Sequence, residues 1–201
     1  MITIKDNFLG EKESLQARAD AIENGFKPEK GPDGGTYEGV AKEPKIYERP
    51  VFKSALASLY KVKEDEINIA FGCFRRDMQG MFTHSYAHAD AIHASHAGLL
   101  YLTPFEYTSG GTGFYRHIPS GLMQHPEGLS PEQDTYLTRD WMIKNKWEMH
   151  TFTHMVFDRF VTYPCSYYHN RFPMEGFGDT DENSRLVYVV FFDLLSATTS
   201  P

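Results

Sequence analysis

Residues 185–192 read Arg-Leu-Val-Tyr-Val-Val-Phe-Phe, a run of β-branched, aromatic and aliphatic side chains behind one arginine. Those side chains suit a pleated, packed surface, so the run predicts a strand. Four earlier runs have the same character: 67–74 (INIAFGCF), 98–102 (GLLYL), 113–117 (GFYRH) and 157–163 (FDRFVTY). Gly, Pro and Asn punctuate them, as expected between strands. Helical signals are fewer. Residues 11–24 carry Leu15, Ala19 and Ile22 at helical spacing before a stop at Gly25. Residues 53–62 (KSALASLYKV) predict a second short helix, and 27–35 (KPEKGPDGG) a loop. Leu137, Trp141, Ile143 and Trp147 predict a helical insert over 135–149. Short strands interrupted by a few helices point to a mostly β chain with flanking helices, an antiparallel sandwich or jelly roll.

The chain has 201 residues, the size of one domain, and no linker divides it. Residues 1–66 are expected to support a jelly-roll core over 67–195. Lys and Arg total 20 against 27 Asp and Glu, a formal charge of −7. That sign gives no general attraction to phosphate backbones, so nucleic acid is not an expected partner. No apolar stretch approaches the roughly 20 residues of a membrane span, and no membrane association is expected. The N-terminus lacks the basic and apolar regions of a secretion signal. The two cysteines, Cys73 and Cys165, have no metal or redox spacing. Both features favour a reduced, cytoplasmic protein.

Four of the nine histidines crowd into residues 83–96 (THSYAHADAIHASH). His88 and Asp90 are separated by one residue, so extended backbone would place both on one face. An imidazole and a carboxylate there can offer two neighbouring ligands to a divalent metal. With a second histidine they would make the triangular set that suits non-haem Fe(II) and leaves positions open. The three-residue pattern alone arises often by chance, and a hydrogen-bonded histidine beside a surface aspartate is its ordinary reading. His84, His93 and His96 read as polar neighbours, since no His-Glu-x-x-His pattern occurs. His150 and His154, four apart with no carboxylate between them, read as a coincidence near a helix end.

The segments C-terminal to the pair carry more. After His88-Ala-Asp90 come the strand Gly98-Leu-Leu-Tyr-Leu-Thr103 and the turn Gly110-Gly-Thr-Gly-Phe114. Later come Arg159-Phe-Val-Thr-Tyr-Pro164, then His169, then the strand opened by Arg185. This order resembles the 2-oxoglutarate/Fe(II)-dependent oxygenases, in particular their prolyl-hydroxylase-like branch, over roughly residues 67–195. The resemblance implies a double-stranded β-helix with His88, Asp90 and His169 as iron ligands. It further implies that Arg185, aided by Tyr101, holds the distal carboxylate of 2-oxoglutarate; a planar guanidinium suits that task. The implied reaction consumes 2-oxoglutarate and O2, releases succinate and CO2, and hydroxylates an unactivated C–H bond. Its substrate would be an amino acid, a peptide or protein side chain, or another small metabolite. An intact Asp90 speaks against halogenation, whereas desaturation or ring formation stays open.

Two departures from the family pattern stand out. Thr103 replaces the usual Asn, and the stretch between His169 and Arg185 is long. Arg171 is therefore a rival to Arg185, although a place near the metal suits it better for substrate contact. His117 and Tyr168 are further candidates for substrate contact, with a satisfied structural histidine and aromatic packing as their plain readings. A jelly-roll binding module without the redox cycle, and a cupin-like metalloenzyme that does not use 2-oxoglutarate, are the alternatives. Neither has use for a buried arginine facing the metal.

Overall fold

The structure, a computed structural model, describes residues 1–30, 35–81, 85–90 and 94–195. In chain order the elements are β1 (Thr3–Lys5), α1 (Glu11–Asn24), β2 (Lys27–Lys30), β3 (Thr36–Ala41), α2 (Pro50–Tyr60), β4 (Ile67–Asp77) and β5 (His96–Tyr101). They continue with β6 (Gly111–His117), α3 (Pro131–Thr138), β7 (Trp147–His154), β8 (Phe160–Pro164), β9 (His169–Phe172) and β10 (Arg185–Leu194). A seven-stranded sheet has the order β1-β8-β5-β10-β4-β3-β2, and a three-stranded sheet the order β7-β6-β9. Every pairing is antiparallel. The chain passes repeatedly from one sheet to the other, which is the winding of a double-stranded β-helix.

β10 shows why its sequence is so continuously apolar. Leu186, Tyr188, Val190 and Phe192 join Leu100 and Phe160 on the outer face of the large sheet, under Phe52 and Leu56 of α2 and Ala17 and Ala21 of α1. Val187 and Phe191 face inward with Leu99, Tyr101, Val161 and Tyr163, toward Phe114 of the small sheet. A strand covered on both faces needs apolar residues at every position. Arg185, two residues before Val187, therefore faces the interior between the sheets.

Two local devices fix the frame. α1 has no capping side chain of its own. Asp158 serves instead, accepting from Leu9 N (3.0 Å), Gly10 N (2.8 Å) and Ser14 Oγ (2.7 Å). At the start of β6, Gly110 has φ +70°, and a Cβ there would lie 1.9 Å from the Phe172 carbonyl oxygen. Only glycine allows that approach of β6 to β9.

The helix expected over 135–149 is corrected. α3 ends at Thr138, 3-10 turns follow at Arg139–Met142 and Lys144–Lys146, and Trp147 opens β7. The polar Lys-Asn-Lys run breaks the apolar helical spacing, and β6 offers residues 147–154 a ladder. His150 and His154 thus lie on a strand. The loop expected over 27–35 is a strand in its first half: β2 is a polar edge strand whose register shifts between Lys27 and Glu29, around Pro28. Among the described residues no helix is long and apolar enough to cross a membrane.

Candidate metal centre

β9 lies at the edge of the small sheet, with His169 paired to Phe114 of β6. On its free side it takes the 85–90 loop as a partial strand. His88 N donates to His169 O (3.2 Å), His169 N to His88 O (2.9 Å), and Asp90 N to Cys165 O (2.7 Å). The Asn170 amide holds the same loop through Ser85 O (2.6 Å) and Tyr86 O (3.0 Å). From the opposite side, Trp141 O accepts from Tyr86 N (2.6 Å) and Ala87 N (3.2 Å). Backbone from β9, the segment before it and Trp141, together with the Asn170 amide, therefore fixes the loop, with its Ala87 buried beneath.

The result is one convergent donor set. His169 Nε2 lies 3.1 Å from Asp90 Oδ2, and His88 Nε2 lies 3.6 Å from Asp90 Oδ1. All three ligand atoms fall within 4.8 Å of one another, the one such group of three or more among the described residues. Neighbouring ligands at octahedral bond lengths of about 2.1 Å would stand about 3 Å apart, close to these spacings. The ring tautomer is also set. His169 Nδ1 contacts the Tyr167 carbonyl oxygen at 2.9 Å, which can only accept, so Nδ1 carries a hydrogen and Nε2 is the nitrogen left to meet a metal. His88 Nδ1 is held by Ser85 Oγ at 2.7 Å. Two nitrogens, each steadied from behind, and a carboxylate fit a divalent metal such as Fe(II). Tyr163 packs its ring 4.7 Å from His169, and Trp141 lies 6.1 Å from His88.

Arg185, 3% exposed, shares this interior. Its Nη1 donates to Asp77 Oδ2 at 2.7 Å, and its Nε is buried without a partner. Arg171, on the same face of β9 as His169, pairs with the other Asp77 oxygen, with Met81 O, and with Met174 O at 2.9 Å. Tyr101 is fully buried with its hydroxyl 2.7 Å from Thr112 Oγ1. Burial pushes its phenol up, against an opposing pull from Thr112 and Arg185. Tyr163 is raised further, by burial and then by the Asp90 charge. Both phenols are therefore neutral hydrogen-bond donors at physiological pH.

His117 and Tyr168 do not join this set. Both face away from His169, across the small sheet. His117 is wholly buried between Ser120 Oγ (2.8 Å) and Asp140 Oδ2 (3.1 Å). Tyr168 packs against Trp147, with its hydroxyl 3.3 Å from His125 Nδ1. His96 lies on β5 against Phe192, while His84 and His93 fall outside the described residues. Asp77 and Tyr163 are the interior residues that sequence reasoning missed. Tyr163 was detectable, because it alternates with Val161 on one face of an apolar strand.

No family model and no curated protein matches the sequence. Solved structures do match by shape. EvdO2 from Micromonospora carbonacea var. aurantiaca, complexed with 2-oxoglutarate, aligns with 95% of this chain and 85% of its own at 15% identity and TM-score 0.55. The α-ketoglutarate-dependent carbocyclase SnoK from nogalamycin biosynthesis aligns with 95% of this chain and 78% of its own, at 12% identity and TM-score 0.60. A Trichoplax adhaerens prolyl hydroxylase in complex with a hypoxia-inducible-factor peptide aligns with 100% of this chain and 87% of its own, at 14% identity and TM-score 0.55. The chain has the double-stranded β-helix fold of the 2-oxoglutarate/Fe(II) oxygenases, and its interior carries a His-Asp-His group that could hold a metal ion.

Proposed function

We propose that this protein is a non-haem Fe(II)- and 2-oxoglutarate-dependent dioxygenase that hydroxylates an unactivated C–H bond of an amino acid, a peptide or protein side chain, or a small metabolite. One observation carries the reading: a two-histidine, one-carboxylate set shares its interior with a buried guanidinium whose Nε has no partner. His88, Asp90 and His169 would hold the iron. Arg185 and Tyr101 would hold the distal carboxylate of 2-oxoglutarate, and a guanidinium supplies the charge-assisted hydrogen bonds that such a carboxylate requires. Arg185 suits this better than Arg171, whose nitrogens already meet Asp77, Met81 O and Met174 O. Iron with this co-substrate supplies the power to activate O2 for C–H oxidation; the protein holds the ligand set, orients the dicarboxylate and limits water around it. Two of the three ligands stay partly exposed, which leaves substrate an approach to the metal. The similar structures span a peptide hydroxylase and a carbocyclase, so both peptide and small-metabolite substrates are within the reach of this fold.

Succinate release from 2-oxoglutarate in the presence of Fe(II), O2 and a panel of amino acids, peptides and small metabolites tests the reading. Arg185→Leu should raise the 2-oxoglutarate concentration needed for half-maximal release at least tenfold, and His88→Ala should abolish release. Unchanged co-substrate dependence in a folded Arg185→Leu protein would overturn the assignment.

A further inference from the structure

β4 ends at Asp77, the direct cross-strand partner of Arg185 on β10. Its carboxylate is shared between two guanidiniums. One oxygen accepts from Arg185 Nη1 at 2.7 Å, and the other pairs with Arg171. Arg171 is itself anchored, through Nε to Met174 O at 2.9 Å and through Nη2 to Met81 O. Arg185 is gripped by Asp77 on one nitrogen, while its Nε is buried with no acceptor among the described residues. Asp77, Arg171 and Arg185 are 5%, 9% and 3% exposed, so two buried cations face one buried anion. Among its buried groups the cluster lacks one negative charge, Glu175 acting on Arg171 only from an exposed position, and an uncompensated buried charge is costly. Arg75 adds to the imbalance from the same strand, lying over the Tyr37 ring at 4.0 Å with its own Nε buried and unpartnered.

We propose that Asp77 is the positioning residue of the co-substrate site: it grips Arg185 by one nitrogen and leaves the Nε side of the guanidinium for a ligand with a single carboxylate tail. The inference rests on the reading of Arg185 as the residue that holds 2-oxoglutarate. Burial pushes the Asp77 carboxyl up, but Arg185, Arg171 and Arg75 outweigh it and hold the group below its ordinary value, so it is an anion at neutral pH. The opposite role for such an anion is that of an internal competitor, which the co-substrate must displace. The anchoring speaks against it. One Asp77 oxygen is tied through Arg171 to the backbone at Met81 and Met174, and the other takes one nitrogen of Arg185 and leaves Nε without a partner. Asp77 thereby orients the guanidinium while leaving it a donor for the incoming carboxylate.

The test separates tail from head. Full-length protein is loaded anaerobically with Fe(II) and titrated, by the visible band of the chelate, with 2-oxoglutarate and with 2-oxobutanoate, which keeps the chelating head and lacks the tail carboxylate. In Asp77→Ala the dissociation constant for 2-oxoglutarate should rise at least tenfold, while that for 2-oxobutanoate changes less than twofold. Tighter 2-oxoglutarate binding would make Asp77 a competitor, and equal weakening of both ligands would make it merely structural; either result overturns the proposal. Should Asp77→Ala fail to fold, Asp77→Glu keeps the charge and displaces the grip by one methylene. It should weaken 2-oxoglutarate several-fold with 2-oxobutanoate unchanged, and an unchanged ratio would overturn the proposal. Arg185→Leu distinguishes the levels of failure. If it leaves 2-oxoglutarate affinity intact, the co-substrate reading itself falls; if it weakens 2-oxoglutarate alone and the Asp77 variants do not, only the role of Asp77 falls.

Discussion

His169 gives its Nδ1 hydrogen to the Tyr167 carbonyl, and His88 is steadied by Ser85 Oγ, so each imidazole would meet a bound metal with a fixed ring. Such supporting contacts typically change metal affinity by 10–100-fold. Ser85→Ala should therefore weaken Fe(II) binding by about tenfold in anaerobic equilibrium dialysis, and Asp90→Ala should abolish measurable binding. An unchanged affinity in Ser85→Ala would show that the hydroxyl has no part in orienting His88. Asp77 carries a pH signature. Its carboxyl is depressed in the folded state, so its contribution to stability is complete above the ordinary carboxyl value of about 3.9 and is lost as pH falls through the lower folded value. The stability gap between wild type and Asp77→Asn, measured by urea unfolding, should be constant from pH 7 to 5 and shrink below about pH 4. A gap that stays constant to pH 3 would contradict the ion-pair account. The convergence of His88, Asp90 and His169 was legible because its members sit inside ordered motifs. Asp77 was not, since in Phe-Arg-Arg-Asp it reads as a charged strand end, and only the register with β10 places it against Arg185.

Between elements, the junction of α1 and β8 depends on one side chain. Asp158 is buried and receives three hydrogen bonds from the start of α1. Hydrogen bonds to a charged group contribute about 1.5–3 kcal/mol each, without simple additivity. Asp158→Ala should therefore cost about 3–5 kcal/mol in denaturant unfolding with iron affinity unchanged, because the junction lies on the outer side of the large sheet. A loss of iron binding in folded protein would show that α1 does more than support the sheet. The bounds of α1 were legible to the residue but its buried face was not, since Ser14, Ala17, Arg18 and Ala21 are covered while Leu15 and Ala19 are exposed; β4, β5, β6, β8 and β10 were legible as runs covered by packing. β2 and β9 were not. Lys-Pro-Glu-Lys and His-Asn-Arg-Phe carry no apolar alternation and become strands through the neighbours that pair with them. The first residues of β7 were drawn into a helical reading by aromatic spacing, which the β6 ladder overrides.

Over the whole molecule, the two sheets close on an interior that combines an apolar half with a polar end of imidazoles, carboxylates, phenols and guanidiniums. Ligands that bind only the folded state raise its stability, by about 2.7 kcal/mol at a hundredfold excess over the dissociation constant. For a chain of this size that is a rise in Tm of about 5–10 °C. Mn(II) with 2-oxoglutarate should produce this shift in wild type and not in Asp90→Ala, and equal shifts in both would place the binding elsewhere. The deciding experiment is spectroscopic. Fe(II) and then 2-oxoglutarate are added under anaerobic conditions, and the weak visible charge-transfer band of the chelate is followed. A dioxygenase built on His88, Asp90 and His169 should give a band that needs both additions and is absent from Asp90→Ala. Bound iron with no band on adding 2-oxoglutarate would contradict that function.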